Sequence, residues 1–188
     1  MDAKLCAQIL GQDFISPEEV ESAGFATYSS AQRGQLAAVM PPQETVERMR
    51  RDGFGLIPQL TSRDFLKEIP LTEIEHVALP SDHWLAIKKT PVQGSGFLTW
   101  CEQLQLLTEE ERVPSVLEAA WFLLVFRTVR QQYLWRDVLR TGTQDVSASR
   151  SLIPRHFAVR ELRGSEVLFS IEDGYAGMGV GISAAWKL

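Results

Sequence analysis

The sequence predicts an α+β fold: a helical N-terminal region and a long central helix packed on a C-terminal antiparallel β-meander. Three features predict it. Helix-start signatures recur through the first third, Pro114 opens a long apolar stretch, and runs of alternating pattern separated by short turn signals fill the C-terminus. Domain organisation reads as residues 1–80, helical, followed by 81–188, α+β, or as one continuous domain. A chain of 188 residues suits either, and 45% hydrophobic with 23% charged residues is the composition of a chain that folds without a partner.

Taken in order, the first ten residues carry Asp2 near the start and Gln8 inside the apolar run, which spoils a secretory leader and leaves a short helix. Ser16-Pro17-Glu18-Glu19 is a reciprocal capping box with proline at the first helical position, and that helix should stop near Gly24. A second helix over Ala31 to Met40 is closed by Pro41-Pro42. The third runs from Gln43 to Asp52 and ends at Gly53. Phe54 to Ile57 fits a short strand before Pro58, and Thr61 or Ser62 caps a helical turn or two reaching Lys67. The state of the stretch between Pro70 and Pro80 is not readable.

Trp84 to Ile87 reads as a buried strand ending in Lys88-Lys89, followed by a connection through Pro91, Gly94 and Gly96. Phe97, Trp100, Cys101, Leu104 and Leu107 repeat at three and four residues, which predicts a three-turn helix burying that face, with Gln103 and Gln105 toward water. Thr108 followed by three glutamates signals another helix start. The dominant element runs from Ser115 to about Trp135. Its first half is apolar all round, whereas polar side chains enter from Arg127 onward. Phe157 to Leu162, Glu166 to Glu172 and Tyr175 to Ala184 should then pair as the meander, with Asp173-Gly174 as a tight turn.

Net charge is −5, but it separates into zones. Residues 1–126 hold 10 basic and 18 acidic side chains, residues 127–163 hold 8 and 3, and every base in that second zone is arginine. Cys6 and Cys101 stand far apart, with neither a metal-ligand spacing nor a disulfide framework, which suits a reducing, cytoplasmic setting. The longest apolar run, Ala119 to Phe126, is eight residues, against about 18 for a membrane span. No membrane partner is expected.

Four groups of residues are candidates for function. Gly177, Gly179 and Gly181 leave one face of a strand bare, where a flat ligand or a partner strand could lie between Tyr175 and Trp186; close packing is the commoner use of such glycines. Gly94, Ser95 and Gly96, with Lys88 and Lys89 nearby, offer free amides and positive charge to an anion at a helix start. That loop lacks the lysine-serine ending of a phosphate loop, so a Ser95-capped turn is the plainer reading. The arginine zone, above all Arg150, Arg155, Arg160 and Arg163, suits bidentate recognition of carboxylates on an acidic protein partner. Pairing with the acidic N-terminal zone or plain solvation is the commoner account of such a zone, and the acidic pI of 5.3 argues against nucleic acid. His76, His83 and His156 have no metal-ligand spacing, no nucleophile elbow is present, and no cofactor is implied.

The expectation is therefore a non-catalytic intracellular binding protein. The alternative is a small enzyme acting on an anionic, phosphorylated metabolite, with His83 as its acid-base group. A weaker alternative is nucleic-acid binding through the arginines.

Overall fold

The structure is a computed structural model describing residues 1–59, 83–134, 141–146, 155–161, 167–173 and 181–188, the three segments between 141 and 173 through their backbone. It combines helices with two four-stranded sheets, each dominated by antiparallel pairing, and so is α+β.

Four helices come first: α1 (Ala3–Leu10), α2 (Pro17–Ser22), α3 (Ser30–Ala38) and α4 (Gln43–Arg51). The starts of α1, α2 and α3 are set by side chains that satisfy the free amides of a first turn, whereas α4 follows Pro42 without such a cap. Asp2 accepts from Leu5, and Ser16 with Glu19 and Ser29 with Gln32 form capping boxes. Gly24 and Gly53 follow α2 and α4 with φ of 81° and 77°, the left-handed geometry expected where those helices stop. α1 and α2 turn Cys6, Leu10, Pro17 and Val20 inward, and α4 contributes Val46 and Met49.

β1 (Phe54–Pro58) pairs antiparallel with β2 (Trp84–Lys88) from Phe54 opposite Lys88 to Pro58 opposite Trp84. Residues before 60 and after 83 therefore share one sheet. It is completed by β8 (Ala185–Trp186) and β3 (Glu111–Arg112), in the order β1-β2-β8-β3. The outer edge of β1 takes a bridge from Phe14, and Ile15 donates to the Leu56 carbonyl at 3.0 Å. Trp84 Nε1 donates to the Leu36 carbonyl at 2.8 Å and fastens α3 to β2.

The central helix α6 (Val116–Arg130) starts at a Ser115–Glu118 capping box whose carboxylate also receives both terminal nitrogens of Arg112, at 2.7 and 2.6 Å. Leu117 and residues 119 to 126 are buried, as the apolar sequence of that half requires. The helix lies against β2 of the first sheet and against β4 (Thr141–Val146), β5 (Arg155–Glu161) and β6 (Val167–Asp173) of the second. Trp121 Nε1 donates to the Pro58 carbonyl at 3.0 Å, and Phe122 and Phe126 stack with ring centres 4.6 Å apart.

Several expectations are corrected. The meander is β4-β5-β6, and the segment expected as its third strand contributes β7 (Gly181–Ile182), parallel to β4 on the side away from β6, in the order β6-β5-β4-β7. Its end is held there by the 91–96 loop: Val92 donates to the Ile182 carbonyl at 2.9 Å and Ser95 Oγ accepts from the Ile182 amide at 3.1 Å. The helix expected over Phe97 to Leu107 shrinks to α5 (Trp100–Leu104), because Thr99 and Glu102 form a capping box that starts it three residues late. Thr108 and the glutamates after it lead into β3 rather than a helix. α6 ends at Arg130, since Gln131 adopts left-handed geometry at φ 54° and cannot continue the turn. The segments expected as a helix to Lys67 and as a tight turn at Gly174 lie outside the described residues, as does His76.

Candidate functional site

Two of the sequence candidates meet. A Cβ at Gly181 would lie 2.7 Å from Ser95 Oγ, so the bare backbone there is occupied by a serine hydroxyl. Ser95 is 1% exposed, and its hydroxyl donates to the Val92 carbonyl at 2.7 Å while accepting from Ile182. Gln103 Nε2 donates to the Ser95 carbonyl at 2.8 Å. Lys88 reaches Glu111 at 3.3 Å and lies 5.3 Å from the centre of the Phe54 ring, whereas Lys89 pairs with Asp13 at 2.6 Å. Both lysines are thus engaged within the chain. Gly94, at φ 78°, is exposed and Gly96 partly so. Gly177, Gly179, Tyr175, Arg150 and Arg163 lie outside the described residues.

Arg155 and Arg160 are positions on β5, opposite Asp173 and Leu168 of β6, and an odd spacing sets the two positions on opposite faces of the strand. Arg130 shows what pairing with the acidic zone looks like. It donates to the Gln12 and Phe14 carbonyls at 2.9 and 2.6 Å and to both oxygens of Glu19 at 2.6 and 3.1 Å. Burial alone would raise the Glu19 carboxyl, yet the Arg130 bond, the Ser16 amide and the Arg130 charge hold it below its ordinary value of 4.5. His83 leads into β2, its carbonyl accepting from the Gln59 amide at 2.8 Å, and His156 sits in β5 opposite Glu172.

Sequence reasoning missed the feature that stands furthest from ordinary packing. Gln103 is 4% exposed instead of facing water, and its bond to Ser95 sets the phase of α5. At about 100° per residue, an inward Gln103 carries Cys101 to the far side and Leu104 to the flank. Phe97 is 63% exposed, Leu104 and Leu106 are each 40% exposed, and Cys101 is exposed as well, while Trp100 stays half-buried. Of the apolar face expected to pack inward, Phe97, Cys101 and Leu104 are therefore exposed, whereas Trp100 is half-buried and Leu107 packs partly against the core. Phe97 also has φ of 68°, a left-handed conformation that disfavours a bulky side chain by about 1–2 kcal/mol.

Two further features are plainer. An open depression of about 580 Å³ on the outer face of α4 is lined by Glu44, Glu47, Arg50 and Arg51. Trp186 lies edge-on to Phe54 with the Arg48 guanidinium 5.1 Å from its ring centre, and Arg48 also pairs with Glu110 at 3.1 Å, closing the end of the first sheet. Among the described residues, no helix is long and apolar enough to cross a membrane. No family model, curated protein or solved structure matches this chain.

Proposed function

We propose that the protein is a non-catalytic binding protein whose contact face is the apolar surface of residues 97–106. One observation carries this reading: Phe97 holds a large ring in water on a backbone conformation that costs stability, with Cys101, Leu104 and Leu106 exposed around it. Packing alone has no use for that arrangement, because burial would have repaid the same side chains at about 25 cal/mol per Å². A contact made by another protein does use it.

The face is also well supported from beneath. Gln103, Ser95 and Ile182 tie α5 through the 91–96 loop to β7, so the apolar side chains stand on a segment fixed by three hydrogen bonds from 2.7 to 3.1 Å. Of the four groups singled out from sequence, Ser95 serves this reading as scaffold.

The test is affinity capture with the wild-type chain and with Phe97→Ser combined with Leu104→Ser, at matched folded content. The expected result is a set of proteins retained by the wild type and lost from the variant. Identical sets contradict the reading.

A further inference from the structure

We infer that residues 17–27, α2 and the turn behind it, form a strap across α6 that opens as a unit while the rest of the chain stays folded, latched shut by Arg33 and Arg130.

The strap is sparsely buried. Only Pro17 and Val20 of α2 are buried, and from Glu21 to Thr27 no residue is. Phe25 lies edge-on to Trp121 with ring centres 5.5 Å apart and stays half-buried. The helix it rests on is the opposite case, since α6 buries Leu117 and every residue from 119 to 126. Lifting the strap therefore exposes little apolar surface, whereas lifting α6 dismantles the core. Segments of the first kind open at a free energy well below that of global unfolding.

Both ends are pinned to parts that stay behind. Ahead of the strap, Ile15 donates to the Leu56 carbonyl of β1 at 3.0 Å. Beyond it, Ser29 caps α3, which Trp84 holds through the Leu36 carbonyl at 2.8 Å.

Between those pins the fastening is ionic. The strap carries Glu18, Glu19 and Glu21 and no base. Arg33 of α3 pairs with Glu18 and Glu21 and donates from Nε to the Tyr28 carbonyl at 3.2 Å. Arg130 of α6 takes both oxygens of Glu19. All three carboxylates are thus held by guanidiniums on elements that the strap would leave. Glu18 and Glu19 are 63% and 39% exposed, so water and salt reach these pairs and weaken them, as they do not weaken the core beneath. Opening uncovers the edge of Trp121 that Phe25 covers, a surface present only in the minor state.

The experiment is amide hydrogen exchange by NMR on the full chain near neutral pH, in a series of low urea concentrations. The amides of Val20, Ala23 and Phe25, each bonded to a carbonyl of Ser16, Glu19 or Val20, should share one opening equilibrium with one urea dependence. After correction for intrinsic rates they should exchange at least about a hundredfold faster than the amides of residues 122–125. Salt at about 0.5 M should speed them about twofold or more, and Arg33→Gln about threefold to tenfold. Phe126→Leu weakens the core without touching the strap, so it should speed the amides of residues 122–125 and leave those of the strap unchanged.

Strap amides that speed up together with residues 122–125 in Phe126→Leu would show that the segment opens only with the whole fold and overturn the inference. Unequal rates with no urea dependence would mean fraying amide by amide, which overturns the unit. Indifference to both salt and Arg33→Gln would overturn the latch. The wild-type urea and salt series decides the matter even if either variant fails to fold.

Discussion

Phe126 fills the place where residue 55 would carry a side chain. A Cβ built on Gly55 would collide with Phe126 Cζ and come within 2.9 Å of Phe122 Cζ, so β1 and α6 approach each other through the one position in that strand without a side chain. Gly55→Ala should destabilise the protein by about 1–3 kcal/mol through overpacking, measured by urea unfolding. Phe126→Leu in the same chain should recover part of that loss, because the two sites share one space.

Arg130→Met should lower stability by about 1–2 kcal/mol, since it removes bonds to the Gln12 and Phe14 carbonyls as well as to a part-exposed Glu19. The pH dependence follows from Glu19. Its carboxyl sits below 4.5 when folded, so its contribution is present above the unfolded value and is lost as pH falls through the lower folded value. The loss of stability on acidification below about pH 4.5 should therefore be shallower in Arg130→Met than in the wild type.

The two thiols should separate cleanly. Burial pushes Cys6 up to about 12, whereas Cys101 is exposed, so a disulfide reagent at pH 8 should titrate one thiol in the native protein and two after unfolding. Fast reaction of both in the native state would contradict the packing of α1.

Ser95→Ala should cost about 1–3 kcal/mol, because it leaves the buried Ile182 amide without its acceptor. With that hydroxyl and both lysines engaged inside the chain, phosphate at millimolar concentration should leave the melting temperature of the wild type unchanged. A rise would restore the anion-binding alternative.

Much of the helical N-terminus is legible in the sequence because its signals are local. Ser16 with Glu19, Pro17, and the glycines at 24 and 53 act within one turn of chain, so residue identity alone locates the ends of those helices. The strand at Trp84 and the apolar half of α6 are legible for the same reason. Three elements were not. β4 reads Thr-Gly-Thr-Gln-Asp-Val, with glycine and aspartate that disfavour strands, and its pairing comes from β5 and β7. β3 and β8 are two residues each and exist only through one another and β2.

The direction of the apolar side chains on α5 was misread through a long-range bond. The 3–4 spacing of Phe97, Trp100, Cys101 and Leu104 is a true helical periodicity, but periodicity says which residues share a face and not which way that face turns. Its direction is set by Gln103 reaching the Ser95 carbonyl, and Ser95 is in turn held by Ile182, 87 positions further on. The Thr99–Glu102 capping box, by contrast, is present in the sequence and was the signal that could have shortened α5.

Phe97→Gly separates stability from binding. Glycine takes the 68° φ without strain, so the variant should be more stable by about 1 kcal/mol while losing the ring on which the proposed contact depends. A variant both less stable and equally active in capture would contradict the account.

The most direct measurement is photo-crosslinking in the native cell from a benzoyl-phenylalanine at Gln105, an exposed position between Leu104 and Leu106. A discrete higher-mass adduct that disappears with Phe97→Ser and Leu104→Ser is the result the account predicts. Monomer alone, or an adduct indifferent to those substitutions, would contradict it.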